Sequence, residues 1–256
     1  SMPTEPKIIT LYLTHLSKTS KFSTLKRRLA SISVIHKLNG HYLDTKHPLI
    51  TENLLGIKRV KGTYQKSKKP ILINDLKTII NAIDKEKNEK KGIRNKALLL
   101  IGFAGGFRRS ELVEIVFEDI EFVNEGVKIF VKRSKTDQSG EGMIKGIPYF
   151  ANPNYCPVHS LKNWLNENKD QTGKIFNISD KNVALIIKKY AEKAGLDQNK
   201  YSGHSLRSGF ATSTAEQGAE ERSIMAMTGH KTTQMVRRYI KEANLFKNNA
   251  LNKIKI

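Results

Sequence analysis

Two short motifs in the last quarter of the chain combine residue types that handle phosphate groups and protons. The first motif, H-S-L-R, contains His204 and Arg207, which are three residues apart and therefore share one face of a helix. The second motif, T-G-H, ends at His230, and Tyr239 follows nine residues later in R-R-Y. Well upstream, an R-x-S-E unit begins at Arg108. These five positions together hold a phenol, two guanidinium groups and two imidazoles.

This set of side chains matches the needs of a reaction that breaks a phosphodiester without water. Such a reaction needs a nucleophile, positive charge beside the phosphoryl oxygens and a proton for the departing 5′ oxygen. The Tyr239 phenol can be the nucleophile, but its reference pKa of about 10 means that cations and hydrogen bonds must favour phenolate. Arg108 and Arg207 can each donate two hydrogen bonds to non-bridging oxygens, which a lysine cannot do. The motifs therefore predict a strand-transfer site for phosphodiesters.

The order and spacing of these residues resemble those of the tyrosine recombinase, or phage integrase, family. The resemblance covers almost the whole chain and is most specific over residues 101–120 and 204–240. It implies that Lys135, in S-K-T-D, is the general acid that protonates the leaving 5′ oxygen. It also implies that His204 assists proton transfer from the tyrosine, and that His230 donates a hydrogen bond to the phosphate or orients the nucleophile.

Three other basic residues compete with Lys135 for the role of general acid. Lys132 and Arg133 precede it, and Lys145 lies on a strand predicted to return from the same hairpin. The S-K-T-D context favours Lys135, which would lie at the tip of the hairpin and engage only when DNA is bound.

By this resemblance the chain is a site-specific DNA recombinase of the mobile-element type, an enzyme that cleaves and rejoins strands through a 3′-phosphotyrosyl intermediate. The intermediate retains the energy of the ester, so rejoining needs no ATP, cofactor or metal. The implied partners are double-stranded DNA with specific recombination sites and further copies of the chain, in a homotetramer on two DNA sites. In the absence of DNA, a monomer is expected.

Two other functions use some of the same features. Residues 221–239 are predicted to form a helix, a turn at Gly229 and a second helix, which is also the pattern of a helix-turn-helix regulator. A regulator has no need of Arg108 and Lys135, however. A type IB topoisomerase uses similar chemistry and relaxes DNA as a monomer, but the small size and the N-terminal resemblance favour recombination.

The charge of the chain indicates a polyanionic partner. Its 256 residues carry a formal net charge of +21, and residues 1–70 hold 14 Lys and Arg against 3 Asp and Glu. Cys156 is the only cysteine, which excludes an intramolecular disulfide and a cysteine-based zinc site. The longest apolar run, residues 97–107, is too short to span a bilayer. We therefore expect a soluble, cytoplasmic, DNA-associated protein without membrane contacts.

The predicted fold is mainly α with a small antiparallel β-sheet in the catalytic domain, an α+β arrangement. Residues 1–62 are predicted to form a small helical core-binding domain, a DNA clamp that is one helix short at its front. Residues 63–71 are predicted to form a basic linker, and residues 72–256 the catalytic domain. Its tail at 243–256 is predicted to form an apolar-faced helix that either docks on a neighbouring subunit or packs against its own domain. Helices are predicted at 6–16, 23–38, 49–60, 75–85, 94–105, 157–168, 180–194, 204–217, 221–227 and 232–239, and strands at 127–131 and 143–149. The predicted DNA contacts are Lys26, Arg27, Arg28, Lys58, Arg59, Lys66, Lys68 and Lys69.

Overall fold

The chain divides into two compact units, Ser1–Ser67 and Lys68–Ile256. The computed structural model describes residues 2–63, 67–132, 140–167, 172–243 and 250–254. Over these residues the chain is mainly helical with one small antiparallel sheet, so the predicted fold class is confirmed.

The described residues of the first unit form three α-helices, α1 (Pro6–Ser17), α2 (Phe22–Leu38) and α3 (Pro48–Lys61). Its core contains Ile9, Leu13, Leu25, Leu29, Leu43, Ile50 and Ile57. The side chains predicted to contact DNA in this unit, namely Lys26, Arg27, Arg28, Lys58 and Arg59, are all exposed. They are therefore available to phosphates, while DNA binding by this unit stays a prediction.

The second unit is built around one helix, α5, whose second half is buried. Its helices are α4 (Ile73–Ile83), α5 (Glu89–Ala104), α6 (Arg109–Glu114), α7 (Pro157–Glu167), α8 (Asp180–Lys193), α9 (Ser205–Glu216), α10 (Glu221–Thr228) and α11 (Thr233–Ala243). Helix α5 packs against α7 and α9, and every residue at positions 97–104 is buried. It begins five residues before the predicted start, because the Asn88 side chain accepts a hydrogen bond from the Lys91 N–H and caps the first turn.

The three-stranded sheet has the order β1 (Ile120–Val123), β2 (Gly126–Val131) and β3 (Met143–Pro148). Strands β2 and β3 pair antiparallel with Val127 opposite Ile147, so the predicted hairpin is confirmed. Of the predicted tip of the hairpin, residues 134–142, residues 134–139 lie outside the described residues. Strand β1 was not predicted, because its four residues are too few to show an alternating pattern.

The beginning of α9 is held by the backbone of the segment that precedes α4. Ile71 N–H donates to Ser205 O at 2.9 Å, and Lys69 N–H donates to Lys200 O at 2.7 Å. A Cβ atom on Gly209 would lie 2.0 Å from Ile71 O, so only glycine permits this approach. The contact fixes the turn of α9 on which the H-S-L-R motif lies.

Two of the predicted DNA contacts in this segment already have partners in their own unit. Lys68 Nζ donates to Asn199 O at 2.5 Å, and Lys69 Nζ forms an ion pair with Asp75 at 2.8 Å. A DNA phosphate would have to compete with these acceptors. Lys66 lies outside the described residues.

Among the described residues, no helix is both long and apolar enough to cross a lipid bilayer.

Candidate active site

Arg108 immediately precedes α6, and the Glu111 carboxylate holds it in place. Arg108 donates from its main-chain N–H to Glu111 Oε2 at 3.0 Å and from Nη1 to Oε1 at 2.5 Å. Burial raises the pKa of Glu111, but the hydrogen bonds from Arg108 outweigh this effect and bring the pKa below its ordinary value. Glu111 is therefore ionised and neutralises one positive charge of the site.

Arg207 is a second, fully buried guanidinium, with 1% of the residue exposed. Its Nη1 donates to Gly106 O at 2.9 Å, and Gly106 has the left-handed φ of 55° that glycine tolerates best. Its Nε and Nη2 are buried and have no hydrogen-bond acceptor among the described residues. Burial and the neighbouring Arg108 lower the pKa of Arg207 to about 10, so it remains charged at neutral pH. A buried cation with unpaired donors is suited to binding an anion.

His204 lies at the N-terminus of α9 and faces the hydroxyl of Tyr239, a residue of α11. His204 Nε2 and the Tyr239 hydroxyl oxygen are 3.4 Å apart. Desolvation, together with the cations Arg207 and Arg108, lowers the pKa of His204 below 6.5. The imidazole is therefore mainly neutral at pH 7 and can accept a proton from a phenol.

His230 follows α10, which ends in the left-handed residue Gly229 (φ 61°, ψ 39°). The Thr228 hydroxyl lies 2.6 Å from Ile224 O, a carbonyl that can only accept, and therefore donates to it. The same oxygen lies 2.7 Å from His230 Nδ1, so it accepts the N–H of that nitrogen. The neutral ring thus carries its proton on Nδ1 and leaves Nε2 unprotonated.

The cations of the site also act on His230. Burial, then Arg207 and Arg108, lower the pKa of His230 to about 4. Its ring centroid is 6.1 Å from that of Tyr239, and Arg108 Nη2 donates to Gly229 O at 3.4 Å. His230 is therefore mainly neutral at pH 7 and lies beside the Tyr239 ring.

The structure places one further basic residue, Lys145, in the site. Lys145 has no exposed surface, and its ammonium donates to Gly105 O at 2.7 Å and to Met227 O. Burial lowers the pKa of Lys145 to about 8. The alternation of β3 could have indicated this position, because Lys145 and Ile147 face inward while Ile144 and Gly146 face outward.

The structure brings together five of the six residues predicted for the site, Arg108, His204, Arg207, His230 and Tyr239. The sixth, Lys135, lies outside the described residues. The sequence did not predict that Glu111 holds Arg108, that Thr228 orients His230 or that Lys145 is buried in the site. No cluster of three or more potential metal-ligating side chains occurs in the described part of the chain.

The chain matches the model of the phage integrase family over residues 71–245. It is 42% identical to an integrase/recombinase xerD homolog of Selenomonas ruminantium, over 99% of this chain and 78% of that protein. It is 26% identical to tyrosine recombinase XerC of Staphylococcus aureus, over 91% of this chain and 74% of the relative.

Solved structures show the same fold. The post-cleavage complex of XerH site-specific recombinase with palindromic difH substrate covers 96% of this chain and 73% of its own, with a TM-score of 0.63 and 17% identity. The Tn1549 transposon integrase in complex with circular intermediate DNA covers 93% of this chain and 81% of its own, with a TM-score of 0.66 and 14% identity.

Proposed function

Since the chain belongs to the phage integrase family of tyrosine recombinases, we propose that its buried cation cluster binds the scissile phosphate of DNA for attack by Tyr239. The protein is a site-specific DNA recombinase that breaks and rejoins DNA strands by transesterification. The assignment of its side chains to the steps of that reaction is our proposal.

The excess positive charge of the site supports the proposal most directly. Arg108, Arg207 and Lys145 carry three positive charges, and Glu111 supplies one negative charge. Arg207 retains two buried nitrogens without an acceptor among the described residues. A phosphodiester carries one negative charge and two non-bridging oxygens, so it reduces the excess positive charge and supplies the missing acceptors.

The cleavage step uses the neighbours of the Tyr239 hydroxyl. The phenol oxygen attacks phosphorus and its proton passes to His204 Nε2, 3.4 Å away. The bond from phosphorus to the 5′ oxygen breaks, and Lys135 gives that oxygen a proton. The products are a 3′-phosphotyrosyl ester and a 5′-hydroxyl end. Attack by a second 5′-hydroxyl reverses these transfers and rejoins the strand.

His230 can respond to the bound phosphate. Its low pKa in the free protein arises from burial and from nearby cations, and an anion between those cations opposes both effects. The phosphate therefore raises the pKa of His230, and a protonated Nε2 then donates a hydrogen bond to a phosphoryl oxygen. Thr228 keeps the ring oriented in either state, because Nδ1 carries a proton in both.

The assembly and the site of action are also proposals. We expect a homotetramer on two DNA sites, which acts on DNA in the cytoplasm. The tail at 243–256 would contribute to pairing, and two of its apolar side chains, Leu251 and Ile254, are 68% and 58% exposed. Removing residues 243–256 should weaken the pairing of DNA-bound protomers in analytical ultracentrifugation.

The test of the proposed chemistry uses nicked duplexes drawn from a random-sequence pool, so that a cleaved strand loses its short end and the covalent product accumulates. The wild type should form a protein–DNA adduct on denaturing gels, and sequencing its DNA should give the target site. Tyr239→Phe should bind the same DNA and form no adduct, while the exposed Tyr42→Phe should behave as the wild type. An adduct with Tyr239→Phe would reject the nucleophile, and binding without any adduct would favour a regulator.

A further inference from the structure

The strongest unexplained feature of the second unit is the complete burial of Lys145. Its side chain has no exposed surface, although lysine is among the residues least often buried. The ammonium donates to the main-chain carbonyls of Gly105 and Met227 and lies 4.7 Å from the centre of the Phe107 ring. Its position is therefore defined on several sides by contacts within its own unit.

The two carbonyls belong to the segments that carry residues of the candidate site. Gly105 follows α5 and comes three residues before Arg108. Met227 lies in the last turn of α10 and comes three residues before His230. Lys145 itself lies on β3, which pairs with β2, and Lys135 comes between these two strands in the sequence. One ammonium group thus connects three segments that must meet at the same phosphate.

Packing alone does not account for a lysine at this position. Burying an ammonium carries a large desolvation penalty, and a methionine of similar length would fill the volume without that penalty. The lysine is also the third cation of the cluster, since it interacts electrostatically with Arg207, Arg108 and Glu111. Charged groups that are buried beside like charges at the expense of stability are typical of functional sites.

We propose that Lys145 is a positioning residue for strand transfer, which holds the Arg108 and His230 segments at the geometry that one phosphate requires. The inference rests on the proposed function and assigns Lys145 a task other than that of proton donor. A donor must reach the leaving 5′ oxygen, whereas the ammonium of Lys145 is enclosed and directed at two carbonyls. Lys135 keeps the proton-donor role.

The test compares Lys145→Met with wild type in single-turnover adduct formation on the duplex recovered from the pool experiment. The control is Lys128→Met, a half-exposed lysine on the adjacent strand β2. Each protein is assayed with an ordinary duplex and with one in which sulfur replaces the bridging 5′ oxygen. A thiolate leaves without a proton, since thiols ionise near a pKa of roughly 8.5. The sulfur duplex therefore restores the rate of adduct formation in a variant that lacks the proton donor. It does not restore the rate in a variant whose catalytic groups are misplaced.

We expect Lys145→Met to bind DNA within about threefold of wild type and to form adduct roughly 100-fold more slowly on both duplexes, as misplacement of catalytic groups by about 1 Å can produce. Lys135→Ala should be slow only on the oxygen duplex. Combining Lys145→Met with His230→Ala should slow the reaction little more than either change alone, because both disturb one group.

Repair of Lys145→Met by sulfur would make Lys145 the proton donor and overturn the proposal. Adduct formation at the wild-type rate would also overturn it. If Lys145→Met does not fold, Lys145→Gln, which keeps two N–H donors without the charge, takes its place. Failure of both variants to fold would assign Lys145 to the fold instead of the reaction. Absence of adduct in wild type would refute the proposed function itself, so the two failures are distinguishable.

Discussion

Replacing Thr228 with valine tests how much the Thr228 hydroxyl group contributes to orienting His230. Thr228 is 1% exposed, and valine has nearly the same shape, so the change removes the oxygen without opening a cavity. The oxygen accepts the His230 Nδ1–H at 2.7 Å and donates to Ile224 O at 2.6 Å. After the change the buried Nδ1–H has lost its acceptor, and the preference for the Nδ1–H tautomer is lost with it.

The size of the effect follows from the cost of an unsatisfied buried donor, about 1–3 kcal/mol. If this free energy is added to the activation barrier for strand cleavage, cleavage slows by roughly 5- to 150-fold, since about 1.4 kcal/mol corresponds to a factor of ten. DNA binding should change little, because the hydroxyl is buried and both arginines remain in place. Thr228→Ser, which keeps the hydroxyl, should retain most of the rate.

Single-turnover adduct formation measures the rate, and ¹⁵N chemical shifts of the His230 ring report the tautomer directly. Thr228→Val should mix the two tautomers, while Thr228→Ser should keep Nδ1 protonated. A Thr228→Val protein that keeps the Nδ1–H tautomer would show that another group orients the ring. One that mixes tautomers yet cleaves at the wild-type rate would show that the orientation of His230 does not limit the reaction.

Three further predictions concern other contacts. Arg207→Lys keeps the charge but not the paired donors, so adduct formation should fall by roughly 100-fold or more while DNA binding is largely retained. Gel-shift and adduct assays together measure the two effects. Wild-type activity in the Arg207→Lys variant would refute the prediction. Gly209→Ala places a Cβ 2.0 Å from Ile71 O and should destabilise the second unit by about 3 kcal/mol. The control is Gly56→Ala, which should not destabilise the first unit because a Cβ there has nothing within 4 Å. Calorimetry compares the melting temperatures of the two variants. An unchanged melting temperature for Gly209→Ala would contradict the close approach of the Gly209 and Ile71 backbones. The pKa of Lys145 is lowered to about 8 in the folded protein and is about 10.5 in the unfolded chain. Between these two pH values the unfolded chain binds more protons than the folded protein. The contribution of Lys145 to the free energy of unfolding therefore rises with pH in this range. Urea unfolding at pH 7.5 and 9.5 should show a larger rise for wild type than for Lys145→Met, and equal changes would contradict the shifted pKa.

Most of the helices could be predicted because their buried faces leave a periodic pattern in the sequence. The apolar run at 97–104 is the clearest case, and the structure buries every residue of it in α5. The apolar positions of α2 show the limit of such a pattern. Leu25 and Leu29 are buried, but Ile35 and Leu38 are 47% and 80% exposed, since the apolar pattern continues beyond the helices that cover it. A periodic pattern shows which face is apolar, not how far a neighbour extends.

The residues of the candidate site could be chosen from the sequence because the proposed reaction limits which side chains can perform it. Arg207 and Tyr239 are recognisable from type and spacing, since no common residue replaces a guanidinium fork or a phenol at such a site. The residues that hold them were harder to find. Lys145 is one of 45 Lys and Arg residues in the chain, and only the register of β3 distinguishes it from those on the surface. Thr228 carries no sign of its two hydrogen bonds until α10 and His230 are placed.

The cations of the site are held largely by atoms that every amino acid possesses. Arg207 is bonded to the carbonyl of Gly106, and Lys145 to the carbonyls of Gly105 and Met227. A substitution at position 227 removes no acceptor, so no compensating change at position 145 is required. Relatives that diverge from this chain should therefore show no correlated substitutions for these contacts, whereas replacement of Glu111 would leave the Arg108 guanidinium without its carboxylate. Methods that infer contacts from covariation will overlook the contacts that hold Arg207 and Lys145.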